Sequence, residues 1–500
     1  QIDGITIVTP DAQGVRALLD SLPVRHKLDV VEVDANALRS HASRVGAARM
    51  QSSSSWRGSL GMLCVYDEIA CPELFAHVMS KRQIDAAALI GGDWAMVDPK
   101  LVDETIERVR RQDNEKRIAF SQACPGLGTM VVDINTMRSL ADASRSESRR
   151  NPLATLGALV SYLPTAPQSD PIVRGVCVQI DPELRDAGVR AICDSANRFE
   201  AMRNAYAGLE EPVGIGALAC AQALQCSKPL APSTLILETC TGRLVGGDWG
   251  RWKRGSLEAV ERQPISLGSA HTLIRSLCAL REDASVVFDG VGDPLMHPGA
   301  MDLIALAKED GAACVELRTD LLREGIDEHT LIESGLDVLG VDVIADREDA
   351  YASLTGVDAF SRVYDRLQAI YDTIASAESP VWLSARMTRC EQTLDQIESF
   401  YDKWLLLTGA AIIDPLPAFV QNQRIAQLTV PEQRRKQLER DIMRVRCDGV
   451  VVDHNGHAIV SQGEEINAID EGVERAYQRV RGSMRVAELE LKLSAKEPAA

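Results

Sequence analysis

A glycine-rich turn that ends in an acidic residue is the first candidate site in the sequence. Residues 290–294 (Gly-Val-Gly-Asp-Pro) follow the apolar run 285–289, which predicts a β-strand. Glycines at the carboxyl end of a strand let the backbone approach a ligand closely, and parallel α/β folds place their ligands at that end. The pattern therefore predicts ligand binding at Gly290, Gly292 and Asp293. A tight turn with a helix-capping Asp is the alternative.

A second carboxylate lies in a similar setting nearer the N terminus. Asp93 follows Gly91 and Gly92 after the apolar run 86–90, which we expect to be a central strand, and a helix is predicted to begin at Pro99. A carboxylate at a strand end suits a hard cation such as Mg²⁺ that bridges phosphates. Asp93 is therefore a candidate ligand for a Mg²⁺–nucleotide, with a helix cap as the alternative.

The twelve cysteines do not have the spacing of a metal site. Nearly all lie in apolar runs, where a free thiol behaves as a small hydrophobic side chain, and the sequence contains no CxxC and no Cys/His pair at zinc spacing. Reduced thiols in a cytoplasmic protein are the favoured interpretation. Asp453, His454 and His457 lie close together, and we expect them in an exposed hairpin turn.

Composition excludes several classes of protein. The chain has 500 residues, of which 45% are hydrophobic and 25% charged, as in ordinary globular proteins, and its net charge is −18. A single core rarely grows past ~250–300 residues, so two or three domains are expected. The acidic balance disfavours nucleic-acid and anionic-membrane partners, and no apolar run approaches the ~18 residues of a transmembrane helix. We expect a small molecule, a nucleotide or a peptide as partner.

Alternating strand-like and helical patterns must position these turns. Residues 1–225 predict an α/β domain, and the Pro-containing stretch 226–234 predicts a linker. Beyond it, six strand-like runs alternate with amphipathic helices, which is typical of parallel βα units. This periodicity leaves a doubly wound sheet and a barrel both open. The six runs cover residues 235–238, 285–289, 314–318, 338–343, 381–385 and 411–413.

The pattern changes again in the C-terminal segment, residues 421–500. A charged helix is predicted over 431–444, and a hairpin with a turn at Asn455-Gly456 follows. An amphipathic helix is then predicted over 472–481. This segment is therefore expected to form a small α+β extension.

Residues 232–404 resemble the radical S-adenosylmethionine superfamily. The runs VFDGVGDPLMHP, ELRTDL, SGLDVLGVDVIA and YASLTGVDAF follow the order and spacing of the family's motifs. The resemblance implies a partial (β/α)6 barrel over 226–420 and S-adenosylmethionine as a cofactor. In the family the glycine-rich turn holds the amino group of S-adenosylmethionine, and Asp293 stands where Glu is usual. The cofactor-binding residues that the resemblance implies are Gly290, Gly292, Asp293, Pro294 and Thr319.

The family's CxxxCxxC cluster motif has no counterpart here. When residues 241–243 are placed on the family's T-x-R, Leu244, Asp248 and Arg251 stand where the three cysteines belong. Leu and Arg cannot ligate iron, so no [4Fe–4S] cluster is expected. The resemblance then implies a degenerate barrel that acts in ligand or partner binding. An active radical enzyme with atypical ligands remains an alternative.

Resemblances extend to both ends of the chain. Residues 421–500 resemble a SPASM-type extension that keeps the hairpin but retains Cys447 alone of the cysteines, so no auxiliary cluster is expected. The run ALIGGDWAMVDPKLVDETIERV resembles sugar nucleotidyltransferases of the CMP-Kdo synthetase type, which have a GT-A or Rossmann-like fold, and Asp93 maps onto their Mg²⁺–nucleotide Asp. That family's first strand and nucleotide loop are absent, which implies N-terminal truncation. A full-length parent that acts on a sugar or related metabolite is the alternative function. The combination is associated with bacterial proteins called spiro-SPASM.

Overall fold

The computed structural model describes most of the chain. Short gaps in the described part of the chain lie at 24–25, 114, 116, 122, 186, 210–215, 378, 409–410, 415, 417–419 and 421–422. Most of the charged helix predicted over 431–444 lies outside the described residues, and the end of that range is a strand instead. None of the helices in the described ranges combines the length and the apolar character that a membrane span requires. The described ranges are 2–35, 71–145, 177–226, 229–254, 261–424 and 441–494.

Two small sheets form the N-terminal part. The strands β1 (Ile5–Thr9) and β2 (Leu28–Glu32) pair in parallel. The helix Ala12–Leu19 lies between them in the sequence. A four-stranded sheet of order β3-β5-β4-β6 follows, in which β5 is antiparallel to both β3 and β4. Its strands are β3 (Ala86–Leu89), β4 (Ile118–Ser121), β5 (Met130–Asp133) and β6 (Cys177–Val178).

The expectation that Asp93 follows a central strand is wrong for the strands that the structure describes. Among the described strands, β3 pairs with β5 alone and so forms an edge of its sheet. The helix Pro99–Arg110 begins as predicted, and its cap is Asp98, whose carboxylate accepts hydrogen bonds from Lys100 N and Ala217 N at 2.8 Å each. The other helices described here are Pro72–Arg82, Ile134–Arg145, Pro182–Arg185, Ala196–Ala207 and Ala217–Gln225.

A large, mostly parallel sheet dominates the rest of the chain, which confirms the prediction of parallel βα units. Its order is β12-β11-β10-β9-β8-β7-β13-β14, and β13–β14 is the antiparallel pair. From β7 to β12 the order follows the chain without the reversal that defines a doubly wound sheet. The strands are β7 (Thr234–Leu237), β8 (Ser285–Phe288), β9 (Cys314–Thr319), β10 (Val338–Ile344), β11 (Trp382–Thr388), β12 (Ala411–Asp414), β13 (Ile442–Val445) and β14 (Val451–Val452).

Helices and short hairpins connect and follow these strands. The strands β15 (Val460–Ser461) and β16 (Glu464–Glu465) pair with each other. Val452 bridges Ala458 in antiparallel fashion across the predicted Asn455-Gly456 turn. The helices are Gly247–Arg254, Leu267–Leu280, Ala300–Glu309, Glu328–Glu333, Glu348–Thr355, Phe360–Ser376, Ile397–Thr408, Ala468–Glu471 and Val473–Ser494, with 3-10 turns at Pro294–Met296 and Leu394–Gln396.

The two faces of the large sheet differ in chemistry. Alternate residues of a strand point to opposite faces, and one set, which includes Phe288, Leu317 and Val341, belongs to the main apolar core with the helices. The alternate set includes Glu316 and Asp342, which are also buried. Both faces of parallel sheets are usually apolar. A buried charged face must satisfy its charges internally or with a ligand.

The N-terminal sheet packs at the amino ends of the large sheet's strands. Cys314, Val338 and Trp382 are the first residues of β9, β10 and β11, and they share an apolar cluster with Phe120 and Met130. The carboxyl ends of these strands, where the 290–294 turn lies, are therefore at the opposite end of the sheet.

Candidate functional site

The 290–294 turn follows β8 and is joined to the end of β9 by Asp293. One carboxylate oxygen of Asp293 accepts a hydrogen bond from Leu295 N at 2.9 Å and caps the 3-10 turn that Pro294 begins. The other oxygen accepts from Thr319 Oγ1 at 2.8 Å and from Asp320 N at 3.0 Å. The structure thus brings the predicted residues of the turn together with Thr319. Both oxygens of Asp293 are already used inside the protein.

Arg243 covers the backbone carbonyls of this turn. Its guanidinium donates hydrogen bonds to the carbonyl oxygens of Val291 at 3.0 Å, Gly292 at 2.9 Å and Gly290 at 3.4 Å. It also contacts the carboxylate of Asp320, and its side chain is only 5% exposed. The carbonyl oxygens of the glycine-rich turn are therefore hydrogen-bonded to Arg243, a cation of the chain itself.

Trp249 supports this cation from the helix Gly247–Arg254. The Arg243 guanidinium lies 4.9 Å from the centroid of the Trp249 ring, and Lys253 Nζ lies 5.4 Å from it. Trp249 Nε1 donates to Thr388 Oγ1 at the end of β11, at 3.2 Å. Attraction between a cation and an aromatic face strengthens when water is excluded. No pattern in the sequence points to a role for Trp249 or Lys253.

Ion pairs continue from Arg243 across the charged face of the sheet. Lys253 Nζ lies 3.3 Å from carboxylate oxygens of both Asp289 and Asp342. Arg318 pairs with Asp289 at 3.1 Å and with Glu316 at 2.7 Å. Burial alone would raise the pKa of Asp289, but Lys253 and Arg318 hold it well below its ordinary value.

Arg386 extends the pairing to β12. It lies 3.5 Å from Asp342 and 2.7 Å from Asp414. We call the whole set the interior charge network. Its cations are Arg243, Lys253, Arg318 and Arg386, and its carboxylates are Asp289, Asp293, Glu316, Asp320, Asp342 and Asp414.

The surroundings of Asp320 oppose its ionisation. Burial raises its pKa to about 8, against the attraction of Arg243, and the carboxylates of Asp293 and Asp342 add to the rise. Its side chain is fully buried. The protonation of Asp320 therefore changes close to neutral pH.

This shift predicts how stability depends on pH. Between the ordinary pKa of 3.8 and about 8, the native state holds a proton on Asp320 that the unfolded state has released, so this group's stabilisation is lost as pH rises through that interval. Asp320→Asn removes the effect. From about pH 5 to pH 8, we expect the variant's unfolding free energy to improve relative to the parent by about 2–4 kcal/mol. Thermal unfolding of both proteins across this range measures it, and a pH-independent difference would contradict it.

The Glu238 carboxylate joins the C-terminal segment to the same turn. Glu238, which follows β7, accepts hydrogen bonds from Arg262 Nη2 at 2.7 Å, Val291 N at 3.2 Å and Cys447 N at 3.3 Å. Burial raises the pKa of the Cys447 thiol to about 12, and the Glu238 carboxylate adds to the rise. Cys447 is therefore a protonated thiol at neutral pH.

The residues at the predicted cluster positions have the contacts of an exposed surface. Leu244 is 46% exposed, and Asp248 contacts Arg251 within the helix Gly247–Arg254. The nearby Cys240 is buried, and its thiol donates to the carbonyl oxygen of Asp293 at 3.2 Å. Cubane clusters are held by thiolates, so this donor set does not fit a [4Fe–4S] cluster.

Asp93 lies in a turn after β3, away from the network. Its carbonyl oxygen accepts from Cys193 N at 2.9 Å. Burial, the carboxylate of Asp93 and that of Asp194 raise the pKa of Cys193, in that order. Within the part of the chain that the structure describes, no group of three or more His, Cys, Asp or Glu side chains is arranged to hold a metal ion. A Mg²⁺–nucleotide at Asp93 stays a prediction.

The Asp453–His457 cluster has the geometry of a polar turn. Asp453 Oδ1 accepts hydrogen bonds from Asn455 N at 2.8 Å and His457 N at 2.9 Å. His457 Nδ1 lies 3.5 Å from the other carboxylate oxygen. These contacts stabilise the turn itself.

Comparison with known proteins gives matches among solved structures. No family model matches the chain, and no curated protein matches it. Streptococcus suis SuiB bound to S-adenosylmethionine is 10% identical, with a TM-score of 0.39 over 58% of this chain and 74% of that chain. Native anSMEcpe with bound AdoMet is 11% identical, with a TM-score of 0.38 over 50% and 82%. BtrN in complex with AdoMet and 2-DOIA is 14% identical, with a TM-score of 0.31 over 50% and 84%.

Proposed function

We propose that the large parallel sheet is a degenerate barrel of the radical S-adenosylmethionine type that binds a small molecule or a peptide and does not perform radical chemistry. The main observation behind the proposal is that the Arg243 guanidinium donates hydrogen bonds to carbonyl oxygens of the 290–294 turn. In the resemblance drawn from the sequence, this turn holds the amino group of S-adenosylmethionine. In this chain the Arg243 guanidinium is hydrogen-bonded to the carbonyl oxygens of that turn.

The residues around the turn support the same conclusion. Asp293 is the counterpart of the family's Glu, and its two carboxylate oxygens accept hydrogen bonds from Leu295, Thr319 and Asp320. With Arg243 in place, an ammonium group would meet a buried guanidinium at its binding position, and like charges at short range repel strongly in a buried site. This arrangement does not fit S-adenosylmethionine held through the turn, so we derive no reaction step through it.

Iron and sulfide analysis tests this proposal. After anaerobic reconstitution, we expect the protein to show no broad absorption near ~400 nm and to leave S-adenosylmethionine uncleaved under reducing conditions, because thiolate ligands are missing. Roughly four irons per chain, or cleavage of S-adenosylmethionine, would establish the alternative of a radical enzyme with atypical ligands.

A matched variant shows whether the missing ligands are the cause. The triple variant Leu244→Cys, Asp248→Cys, Arg251→Cys restores three thiols at the cluster positions and is reconstituted in parallel. Iron uptake by the variant but not by the parent would attribute the difference to these positions. An established iron–sulfur protein serves as the positive control for reconstitution.

The remaining predictions about the domains stay proposals. The sequence predicts separate domains at 226–420 and 421–500, and Met443, Val451 and Tyr477 of the latter belong to the same apolar core as the large sheet. The nucleotidyltransferase likeness of residues 1–225 also stays a prediction.

A further inference from the structure

Four charged side chains meet at the amino ends of β8 and β13. Arg281 and Asp283 lie in the turn before β8, Asp441 precedes β13, and Arg198 comes from the helix Ala196–Ala207 of the N-terminal part. Asp283 accepts hydrogen bonds from Arg281 Nε at 2.8 Å and, on its other oxygen, from Arg198 Nε at 3.0 Å. Carboxylate oxygens of Asp441 lie 3.3 Å from Arg281 Nη1 and 3.6 Å from Arg198 Nη2. We call these four residues the junction cluster.

The junction cluster is balanced in charge and partly buried. The side chains of Arg281 and Asp283 are 4% and 10% exposed, and those of Arg198 and Asp441 are 21% and 32% exposed. Burial alone would raise the pKa of Asp283, but its hydrogen bond to Arg281 and the charge of Arg198 hold it well below its ordinary value. Removal of one partner would leave the opposite charge in a partly buried place, which is destabilising.

The helix that carries Arg198 lies against the turn before β8. Asn197 Nδ2 donates a hydrogen bond to the carbonyl oxygen of Leu280, and Ala196 N donates to Glu282 Oε2 at 3.3 Å. A carboxylate at the N-terminus of a helix is favourable because the helix dipole is positive at that end. These contacts fix the first turn of the helix, so Arg198 is held beside the start of β13.

The strand β13 is attached to the large sheet by few backbone contacts. Four residue pairs join it to β7, and two join it to β14. Asp441 anchors its amino end: Ser233 Oγ donates to Asp441 Oδ2 at 2.7 Å, and Ser233 N donates to Asp441 O at 3.0 Å. Short elements with few contacts open locally more readily than the core of a protein. The junction cluster therefore holds the strand at the end where it enters the sheet.

The other end of β13 leads to the candidate site. The strand ends two residues before Cys447, whose backbone N donates to Glu238 at 3.3 Å. Glu238 also accepts from Val291 N in the glycine-rich turn. The contacts of this turn with the C-terminal segment therefore depend on β13 staying in the sheet.

We propose that Arg198 is a clamp through which the N-terminal part of the chain holds β13 in the large sheet. With Arg198 in place, the Asp441 carboxylate lies between two guanidinium groups and β13 stays paired with β7. Without Arg198, β13 detaches locally more often while the rest of the large sheet stays folded. The clamp acts whatever ligand the large sheet binds.

Hydrogen exchange of the full chain, followed by mass spectrometry, tests the clamp. In Arg198→Ala we expect the backbone amides of residues 442–445 to exchange roughly tenfold faster than in the parent. The amides of β10 should keep their parental rates, because detachment of β13 leaves the other strand pairs intact. Unchanged exchange at 442–445 would refute the clamp. An equal acceleration in β10 would also refute it, since it would show a general loss of stability.

Arg203→Ala is the matched control on the same helix. Arg203 is 63% exposed and pairs with Glu200 at the surface, so this variant should exchange like the parent throughout. Acceleration at 442–445 in this control equal to that in Arg198→Ala would overturn the proposal.

A double-mutant cycle shows whether Arg198 acts through Asp441. Asp441→Asn should also accelerate exchange at 442–445, and adding Arg198→Ala to it should then change that exchange little, because the two residues share one interaction. If the two accelerations instead multiplied in full, Arg198 would act on β13 by another route and the clamp would be wrong.

Discussion

At about pH 9, where Asp320 is ionised, replacing Arg243 with alanine should lower the free energy of unfolding by about 3–5 kcal/mol, because it breaks a buried ion pair by removing one partner. The substitution leaves the Asp320 carboxylate buried without its cation, and it deprives the carbonyls of Gly290, Val291 and Gly292 of a donor. It also removes the cation over Trp249. Chemical denaturation of parent and variant measures the loss.

Arg251→Ala is the matched control for this experiment. Arg251 lies in the neighbouring helix with its side chain 68% exposed, and it pairs with Asp248 at the surface. Exposed ion pairs contribute at most about 1 kcal/mol, so this variant should unfold close to the parent. If the two variants lost equal stability, Arg243 would not be the central cation of the site.

Gly292→Ala should be the second severe substitution, with a loss of about 3 kcal/mol or more, or failure to fold. An added Cβ at this position would lie 2.8 Å from both the carbonyl carbon of Cys240 and the carbonyl oxygen of Gly242, and closer still to Cys240 O. These are backbone atoms, which cannot rotate away as a flexible side chain can. The turn packs directly on the 240–242 loop, and Asp293 N donates to Gly242 O at 2.8 Å.

Gly268→Ala provides the contrast for Gly292→Ala. Gly268 lies in the first turn of the helix Leu267–Leu280, and the nearest atom to an added Cβ is Ser266 Oγ at 3.9 Å. Alanine has the higher helix propensity, so this variant should be neutral or gain up to about 1 kcal/mol. Thermal unfolding compares the two, and a well-folded Gly292→Ala protein of parental Tm would show that the turn is not packed as described.

Local patterns determined the strands and several helix starts. The runs of β8 to β12 were predicted within a few residues because buried parallel strands are short, apolar and separated by helical periodicity. The start of the helix Pro99–Arg110 was predicted because Pro and a capping Asp act within one turn of the chain. Such signals depend only on neighbours in sequence, so they predict these elements without knowledge of the fold.

The strand order and the position of β3 were decided by pairing across the chain. Sequence periodicity left a doubly wound sheet and a barrel both open, and the order from β7 to β12 lacks the reversal of a doubly wound sheet. The run 86–90 has the composition of a buried strand, yet β3 pairs only with β5 among the described strands. Which strands become neighbours depends on long-range contacts that a local pattern does not contain.

The sequence alone determined the glycine-rich turn at 290–294, its acidic residue Asp293 and the absence of cysteines at the cluster positions. Only the tertiary structure showed that Arg243 covers that turn and that the charged residues of four strands, β9 to β12, meet in one network with those of the neighbouring turns and of one helix. Charged residues such as Glu316 and Arg386 have no helical or strand period that reveals their partners. Their pairing depends on strand register, since a shift by one residue would move each side chain to the opposite face of the sheet.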